Sequence, residues 1–191
     1  MWSNGNFNLD RLNKMKIYTK TGDQGETGLL GQKRLSKSHL RLQVIGEIDE
    51  LNCHLGLLTA LEISPEIKDF IINLQHLCFN LGAGLAGSMD LKIQSQQITK
   101  IEDSIDQLQN QVPPLSQFIL PAGGINSAQC HLARAVCRRA ERALVLLIEQ
   151  QNETIPPQSL IFLNRLSDWL FVCARVLAQQ AGQPELFWHP L

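Results

Sequence analysis

The sequence predicts an all-α protein in which five helices follow an irregular, glycine-rich loop near the amino terminus. Apolar residues recur at helical spacing in five segments, each bounded by a capping residue, a proline or a glycine. Leu, Ile and Ala carry most of the hydrophobicity and aromatic residues make up only 6% of the chain, which favours helices over sheets. With 191 residues, the chain is long enough for one domain with a substantial core.

The loop at residues 18–29 reads Tyr-Thr-Lys-Thr-Gly-Asp-Gln-Gly-Glu-Thr-Gly-Leu and precedes the first helical pattern. Gly22, Gly25 and Gly28 lack a Cβ, so they permit positive φ and allow a ligand to approach the backbone closely. Threonine hydroxyls, Lys20 and successive backbone N–H groups can together bind an anion, and triphosphate suits them best. The loop matches neither G-x-x-x-x-G-K-[ST] nor G-x-G-x-x-G, and a flexible surface turn remains an open alternative at this point.

The first two helices are bounded by capping signals. The first is predicted over residues 40–61, where apolar residues follow i, i+4, i+7 and i+11 spacing. Ser36 or Ser38 is predicted to cap it. The second is predicted to begin at Ser64-Pro65, because serine is a good N-cap and proline suits the first helical position.

The third helix is predicted over residues 98–112, and Pro113-Pro114 stops it. The loop that follows, residues 115–124, is unusually apolar and contains Phe118. An exposed phenylalanine here would indicate a ligand or a partner. A phenylalanine that plugs the end of the helices is an equally good interpretation of the residues alone.

The fourth helix is predicted over residues 128–150, with Asn126 or Ser127 as its cap, and it carries clustered arginines. Clustered arginines repel one another unless anions lie nearby, although a solvated basic face is the plain alternative. The cluster comprises Arg134, Arg138, Arg139 and Arg142, with Glu141 among them.

The fifth helix is predicted over residues 159–181 and is apolar nearly all round, which places it deep among the others. Asn164, Asp168 and Arg175 form one polar stripe along it. Polar groups on a buried helix must be paired or line a site, and pairing is the simpler prediction from the spacing.

Bulk composition bears on several function classes. Seventeen basic and 18 acidic residues nearly balance, which argues against nucleic-acid binding. Five cysteines without a C-x-x-C pair indicate reduced, mostly buried thiols in a reducing compartment. No apolar run reaches the length of a membrane span and residues 1–15 lack the features of a secretion signal, so a cytoplasmic location is expected. The expected domain is 16–183, between a disordered tail at 1–15 and a C-terminal tail at 184–191.

Five segments in this order carry a resemblance. They are the loop at 18–28, Gly46-Glu-Ile-Asp-Glu-Leu-Asn52, Ile119-Leu-Pro-Ala-Gly-Gly124, Arg134-Ala-Val-Cys-Arg-Arg-Ala-Glu-Arg142 and Phe162-Leu-Asn-Arg-Leu-Ser-Asp-Trp-Leu-Phe171. From about residue 16 to residue 182 the chain resembles the PduO-type ATP:cob(I)alamin adenosyltransferases. The resemblance implies a ferritin-like five-helix bundle that forms a homotrimer, with an active site in each cleft between neighbours. It implies transfer of the 5′-deoxyadenosyl group of ATP to the cobalt of cob(I)alamin, release of triphosphate, and Mg²⁺ on the phosphates.

The resemblance also assigns roles by position. The implied ATP-binding residues are Thr19, Lys20, Thr21, Gly22, Thr27, Gly28, Lys37, Arg138, Arg139, Glu141, Arg142 and Asn164. Asp49 and Arg134 match a pair that forms a salt bridge across the trimer interface, and Phe118 matches the aromatic residue on the lower axial side of the corrin. These three and Arg138 form the implied catalytic group. Gln24 and Ala122 differ from the residues frequent in the family, but neither change removes a group that the reaction needs.

The chemistry agrees with these residues, because cob(I)alamin is already a strong nucleophile and needs no Ser–His or Cys–His pair. It needs a stabilised leaving group and correct alignment. A reductase and a B12-dependent enzyme that receives the product are the further partners expected. Three alternatives to this enzyme exist. A ferritin-like di-iron protein needs Glu-x-x-His pairs, which the sequence lacks. A purely structural bundle leaves the glycine-rich loop and the arginine cluster unexplained. A non-catalytic helical sensor or carrier of ATP or B12 stays open, and an assay for adenosylcobalamin and triphosphate would separate it from the enzyme.

Overall fold

The computed structural model describes residues 18–30, 34–88, 90–151 and 155–190. Within these ranges lie the helices α1 (Leu40–Thr59), α2 (Pro65–Leu85), α3 (Ser95–Gln109), α4 (Gly124–Gln151) and α5 (Pro157–Gln180). Two short antiparallel strands precede them, β1 (Glu26–Thr27) and β2 (Leu35–Ser36), with Glu26 opposite Ser36. The predicted tail at 1–15 lies outside the described residues.

The helices form one bundle in which α1 packs between α2 and α4, and α5 packs between α4 and α3. As its apolar pattern predicts, α5 is buried along most of its length. Trp169 of α5 is 1% exposed; its ring stacks on Phe70 with centroids 5.1 Å apart, and its indole N–H donates to Ser104 Oγ at 2.9 Å. One side chain therefore ties α5 to both α2 and α3.

The helix starts confirm one predicted cap and correct others. Ser64 Oγ accepts the N–H of Ile67 at 3.4 Å, and Pro65 occupies the first position of α2, as predicted. The predicted cap of α1 is wrong, since His39 Nδ1 accepts the N–H of Arg41 at 3.1 Å. Ser36 is unavailable because it lies in β2 and its hydroxyl pairs with that of Ser38 at 2.8 Å.

Three helices begin earlier than predicted. The start of α3 is Ser95, where the N–H of Gln94 donates to Gln97 Oε1 at 2.8 Å in a capping box. α4 begins at Gly124 and α5 at Pro157. The polar or glycine-containing first turns of these helices carry no apolar period, so their sequence is typical of loops. Asn126 does not cap α4; its Nδ2 donates to the carbonyl of Glu62 at 2.9 Å.

The glycine-rich loop and the Phe118 segment lie at different ends of the bundle. The N–H of Leu30, at the end of the glycine-rich loop, donates to the carbonyl of Ala86 just after α2 at 2.8 Å. The contact of Asn126 with Glu62 places the start of α4 beside the start of α2. A helix of 21 residues spans about 30 Å, so the loop and the Phe118 segment lie toward opposite ends of a protomer.

Cys53 is the exposed one of the five cysteines, all of which lie in described positions, and the other four are buried, which confirms the prediction that most of these thiols are buried. Burial raises the pKa of Cys78 to about 12. None of the helices in the described part of the chain has the length and apolar run that crossing a bilayer requires.

Candidate active site

The glycine-rich loop folds as a tight turn ahead of β1. Within the described residues of this loop, Gly25 is the glycine with positive φ, at 81°. Lys20 takes a second left-handed position at φ 59°, which costs a residue with a Cβ about 1–2 kcal/mol. The N–H of Gly25 donates to the carbonyl of Gly22 at 3.2 Å and closes the turn.

Arg34 of the β2 side holds this turn in shape. Its Nη2 donates to the carbonyls of Thr21 at 2.5 Å and Glu26 at 3.0 Å, and its Nε lies 3.5 Å from the Glu26 carboxylate. Sequence reasoning missed this role because strands of two residues are too short to show a period. The facing pair Glu26 and Arg34, on either side of the turn, was the available signal.

The structure brings most of the predicted loop residues together. A Cβ at Gly22 would lie 3.2 Å from Lys37 Nζ, so the Lys37 ammonium packs directly over Gly22. The N–H of Lys37 donates to the carbonyl of Gly25 at 2.8 Å, and the hydroxyls of Thr19 and Thr21 pair at 2.8 Å. The Lys37 ammonium thus lies against the turn, which follows the paired threonine hydroxyls in sequence, while the Lys20 ammonium lies 6.0 Å from the centroid of the Tyr18 ring. Thr27 lies in β1 and Gly28 follows it.

The arginines of α4 fall into two groups. Arg139 forms ion pairs with Glu47 and Glu50 of α1, and the hydrogen bond from Glu47 raises the pKa of Arg139. Its positive charge is therefore balanced within the protomer, and its predicted contact with ATP remains a prediction. Arg142 is exposed.

Arg134 and Arg138, one helical turn apart, are the second group. Arg134 is half-buried and its Nε has no hydrogen-bond partner among the described residues. Burial, and next the charge of Arg138, lower the pKa of Arg134. Adjacent cations that repel each other at a partly buried position favour an anion between or beside them.

A polar chain crosses three helices next to these arginines. Asn164 Nδ2 donates to Glu141 Oε1 at 3.0 Å, Arg165 Nη1 donates to Asn164 Oδ1 at 2.7 Å, and Arg165 Nε donates to Glu102 Oε1 at 2.7 Å. This series of hydrogen bonds fixes the Asn164 amide in one orientation. It confirms that Asn164 of the α5 stripe is paired. Burial, followed by repulsion from Glu141, raises the pKa of the nearby Asp168 carboxyl, while Arg165 and Arg138 act against this.

Phe118 lies at the other end of the bundle and is 80% exposed, so the interpretation that it plugs the bundle end is wrong. Its ring meets the edge of Trp188 at a centroid distance of 6.4 Å and an angle of 80°. An exposed apolar patch of this kind marks a binding surface. Leu120 and Leu186, which are 43% and 50% exposed, lie two residues from Phe118 and Trp188 in paired extended segments and so belong to the same face.

The C-terminal segment belongs to the Phe118 patch, although the sequence indicates only a tail at 184–191. The N–H of Leu120 donates to the carbonyl of Leu186 at 2.7 Å, and the N–H of Trp188 donates to the carbonyl of Phe118 at 2.8 Å. Ile119 and Phe187 stand opposite each other in this antiparallel bridge. The apolar run Leu-Phe-Trp after Gly182 was the signal that sequence reasoning passed over.

Steric crowding explains why a glycine occupies position 123, in the Gly-Gly pair at the start of α4. Gly123 has φ 95°, and a Cβ there would lie 2.6 Å from Ala178 Cβ of α5. The hydroxyl of Ser127 donates to the carbonyl of Ala122 at 2.7 Å. Glycine at position 123 therefore allows the end of the Phe118 segment to pack closely against α5.

Asp49 and Arg134 do not form an ion pair within the described protomer, and Asp49 is exposed on α1. A stripe of exposed apolar side chains lies on α4 and α1. On α4 it contains Ile125, Leu132 and Leu146, which are 76%, 49% and 39% exposed, at seven-residue intervals with Arg139. On α1, Leu57 is 50% exposed. We call this surface the α1/α4 face.

A metal site built from protein groups is not evident: in the described ranges no three His, Cys, Asp or Glu side chains come close enough to hold an ion.

Comparison with known proteins places these features in a family. Residues 17–177 match the family model described as cobalamin adenosyltransferase. The chain is 43% identical over 177 residues to a cobalamin adenosyltransferase of Cupriavidus metallidurans, covering 91% of this chain and 94% of that protein. It is 41% identical over 175 residues to a corrinoid adenosyltransferase of Bacillus subtilis, covering 88% and 89%.

Solved structures give the same result. A phenylalanine-to-alanine variant of a PduO-type ATP:corrinoid adenosyltransferase from Lactobacillus reuteri, complexed with cobalamin and ATP, superposes with a TM-score of 0.85 at 35% identity. The match covers 92% of this chain and 100% of that one. These relatives are named as catalysts, which favours the enzyme over a non-catalytic sensor or carrier. On its sequence, its helical fold and its relatives, the chain belongs to the cobalamin adenosyltransferase family.

Proposed function

We propose that this chain transfers the 5′-deoxyadenosyl group of ATP to the cobalt of cob(I)alamin. The Co(I) electron pair attacks C5′ of ATP, the Co–C5′ bond forms, and the C5′–O bond breaks. Its electron pair leaves with triphosphate, and the other product is adenosylcobalamin. No proton transfer to a side chain is needed, so the protein acts by positioning and by charge.

This proposal is supported mainly by four cationic side chains whose charges are not fully balanced by carboxylates of the described residues. Arg134 and Arg138 adjoin on α4, and Lys20 and Lys37 flank the loop turn. Charge-assisted hydrogen bonds from such groups are strongest to phosphate oxygens. They stabilise the leaving triphosphate more than the bound ATP, because negative charge grows on it as the bond breaks. Asn164, Glu141, Arg139 and Arg142 complete the proposed ATP site.

The proposed active form is a homotrimer with each active site between two protomers. The α1/α4 face supports this, because an exposed heptad stripe of apolar residues suits helix packing against a second copy. Arg134 of α4 has a buried Nε without a partner among the described residues, so it needs an acceptor. Asp49 of a neighbouring protomer is the acceptor that we propose.

Phe118 is proposed to lie against the lower axial side of the corrin. Cobalt with a lower axial ligand is hard to reduce to Co(I), and losing that ligand raises its reduction potential. A bulky apolar ring at this position excludes both the ligand and water. Its exposure beside an apolar patch, and on a segment held by two backbone hydrogen bonds, supports this role. An external reductase would supply the electron, and a B12-dependent enzyme would receive the product.

Mg²⁺ is proposed to accompany ATP on the phosphate oxygens. Oxygen donors of the nucleotide suit this hard cation, which commonly needs few protein ligands.

The test starts from two forms of the substrate. Phe118→Ala should keep ATP affinity and the rate with pre-reduced cob(I)alamin. It should lose most turnover when cob(II)alamin must be reduced in the site, by roughly 100-fold or more. The measurements are adenosylcobalamin by absorbance and triphosphate by chromatography.

Phe79→Ala is the matched control, because Phe79 is 68% exposed on α2 and lies outside the proposed site. Near-normal turnover of Phe118→Ala from cob(II)alamin would remove the proposed role of Phe118. Absence of both products from the unsubstituted protein would remove the proposed reaction.

A further inference from the structure

A buried ion pair near the C-terminal segment takes no direct part in the proposed reaction. Arg175 of α5 is 4% exposed, and its Nε donates to Glu185 Oε1 at 2.5 Å. Its Nη2 donates to the carbonyl of Pro113 at 2.7 Å and lies 3.4 Å from Glu185 Oε2. One guanidinium therefore joins three parts of the chain: α5, the segment before Phe118, and the segment after α5.

Both segments lead to Phe118 within a few residues. Pro113 precedes Phe118 in the same loop. Glu185 immediately precedes the 186–188 strand, whose two backbone hydrogen bonds hold residues 118 and 120. Phe118 and Trp188 stand opposite each other in this antiparallel pair, so their side chains project from the same face and meet edge to face.

Little else fixes the Phe118 ring. It is 80% exposed, so its orientation depends on the backbone that carries it and on the edge contact with Trp188. A two-stranded pairing of three residues is marginal by itself in water. The Arg175–Glu185 ion pair is the strong contact close to this strand pairing. The side chains of Arg175 and Glu185 are 4% and 23% exposed, so little solvent screens the ion pair.

We propose that Arg175 and Glu185 are positioning residues for Phe118. The ion pair fixes the 186–188 strand beside residues 118–120, and the strand fixes the ring. Neither charged group touches substrate. The proposal rests on the proposed role of Phe118, and it assigns a function to a pair whose partner Glu185 lies beyond the matched family region at 17–177.

The experiment compares Glu185→Gln with Glu149→Gln, a matched substitution at an exposed position near the C-terminal end of α4. Glu185→Gln should lower turnover from cob(II)alamin by about 5- to 100-fold, because a small displacement of a positioning group has effects of that size. The KM for ATP and the turnover from pre-reduced cob(I)alamin should stay within about twofold of the unsubstituted protein. Hydrogen exchange at the amides of Leu120 and Trp188 should speed up. Glu149→Gln should change none of these.

A merely structural role predicts something different, namely that both turnovers fall together with the melting temperature. That result would overturn the proposal, and so would faster exchange at Leu120 and Trp188 with unchanged turnover from cob(II)alamin. Glu185→Asp, which keeps the charge on a shorter side chain, should give intermediate turnover and provides the comparison if Glu185→Gln does not fold. Equal loss in Glu185→Asp from both cobalt states would also overturn it.

Phe118→Ala separates this proposal from the one on which it rests. In the Phe118→Ala background, Glu185→Gln should cause no further loss, because both changes act on one ring. A full additional loss would overturn the positioning role. If Phe118→Ala turns over cob(II)alamin normally, the proposed role of Phe118 fails first. If Phe118→Ala is impaired while Glu185→Gln is not, only the positioning role fails.

Discussion

Arg138 is exposed and lies one helical turn from the partly buried Arg134. Lys20 is held at positive φ in the loop turn. If both bind triphosphate, Arg138→Ala and Lys20→Ala should each weaken ATP binding by about 10- to 100-fold, the loss expected for one charge-assisted contact. Isothermal titration calorimetry with ATP measures this. Lys100→Ala, on the exposed side of α3, is the control and should bind normally. Unchanged ATP affinity in both variants would remove the assignment of the phosphate site.

His131 is a second residue with a measurable consequence. It is 5% exposed, its Nδ1 has no partner among the described residues, and its ring meets the edge of Phe171 at 6.1 Å. Burial, and then the charge of Arg134, lower the pKa of His131 from 6.5 to about 4. The folded protein therefore keeps this imidazole neutral where the unfolded chain protonates it.

The sign follows from proton linkage. Above pH 6.5 neither state binds the proton, and below that pH only the unfolded chain does, so stability is lost as pH falls toward 4. Between pH 7.5 and pH 5 the loss from this group should be at most roughly 2 kcal/mol. Urea unfolding at fixed protein concentration should show it in the unsubstituted protein and in His76→Gln, an exposed control. In His131→Leu this part of the pH dependence should vanish; a slope equal to that of the control would contradict the assignment.

At the scale of elements, the join between the loop and α2 depends on a glycine. Gly87 has φ 108°, and a Cβ there would lie 2.5 Å from the carbonyl oxygen of Leu30. Gly87→Ala should therefore displace Leu30, lower the free energy of unfolding by about 1–3 kcal/mol, and weaken ATP binding through the loop. Chemical denaturation and ATP titration measure the two effects.

Gly82→Ala is the matched control in the last turns of α2, where an added Cβ meets nothing within 4 Å. That change should stabilise the protein by about 0.5–1 kcal/mol, because alanine favours helix. Normal ATP affinity in Gly87→Ala would show that the loop does not depend on this join.

The sequence predicts some elements better than others. Elements formed by contacts between residues close in the chain are predicted well, and elements formed by contacts between distant residues are not. The second helix begins at Pro65 with Ser64 as its cap, as predicted, because the cap and the proline act within one turn. The deep position of α5 could be predicted because its apolar period is continuous. The β1–β2 pair and the 186–188 strand could not, since each contains two or three residues and exists through partners distant in the chain.

The candidate site divides in the same way. The residues of the loop turn are neighbours in sequence, and the structure brings them together. The shape that Arg34 gives the turn, and the ion pair of Arg175 with Glu185, depend on which charged groups meet after folding. The sequence predicts that Arg175 is paired or lines a site, because it lies on a buried helix, but it does not identify the partner.

At the scale of the whole molecule, the trimer is the prediction that decides how sites are built. Leu132→Glu puts a charge in the centre of the α1/α4 face, where a neighbouring copy would bury it at a cost of several kcal/mol. The variant should run as a monomer in light scattering, while the unsubstituted protein should have three times the chain mass. Turnover should fall with the loss of assembly.

Phe79→Glu is the control for added charge at an exposed apolar position on α2, and it should stay trimeric. A monomeric unsubstituted protein with full activity would contradict the shared site. So would a trimer in which Leu132→Glu assembles normally.

The placement of tryptophans has a practical consequence. Trp169 is sealed in the core and hydrogen-bonded to Ser104, whereas Trp188 is 49% exposed beside Phe118. In a Trp2→Phe background the molecule therefore contains one steady internal fluorophore and one that faces the proposed corrin surface. Corrins absorb light strongly, so emission from Trp188 should be quenched as cobalamin arrives, and stopped-flow fluorescence can time that arrival separately from the chemistry.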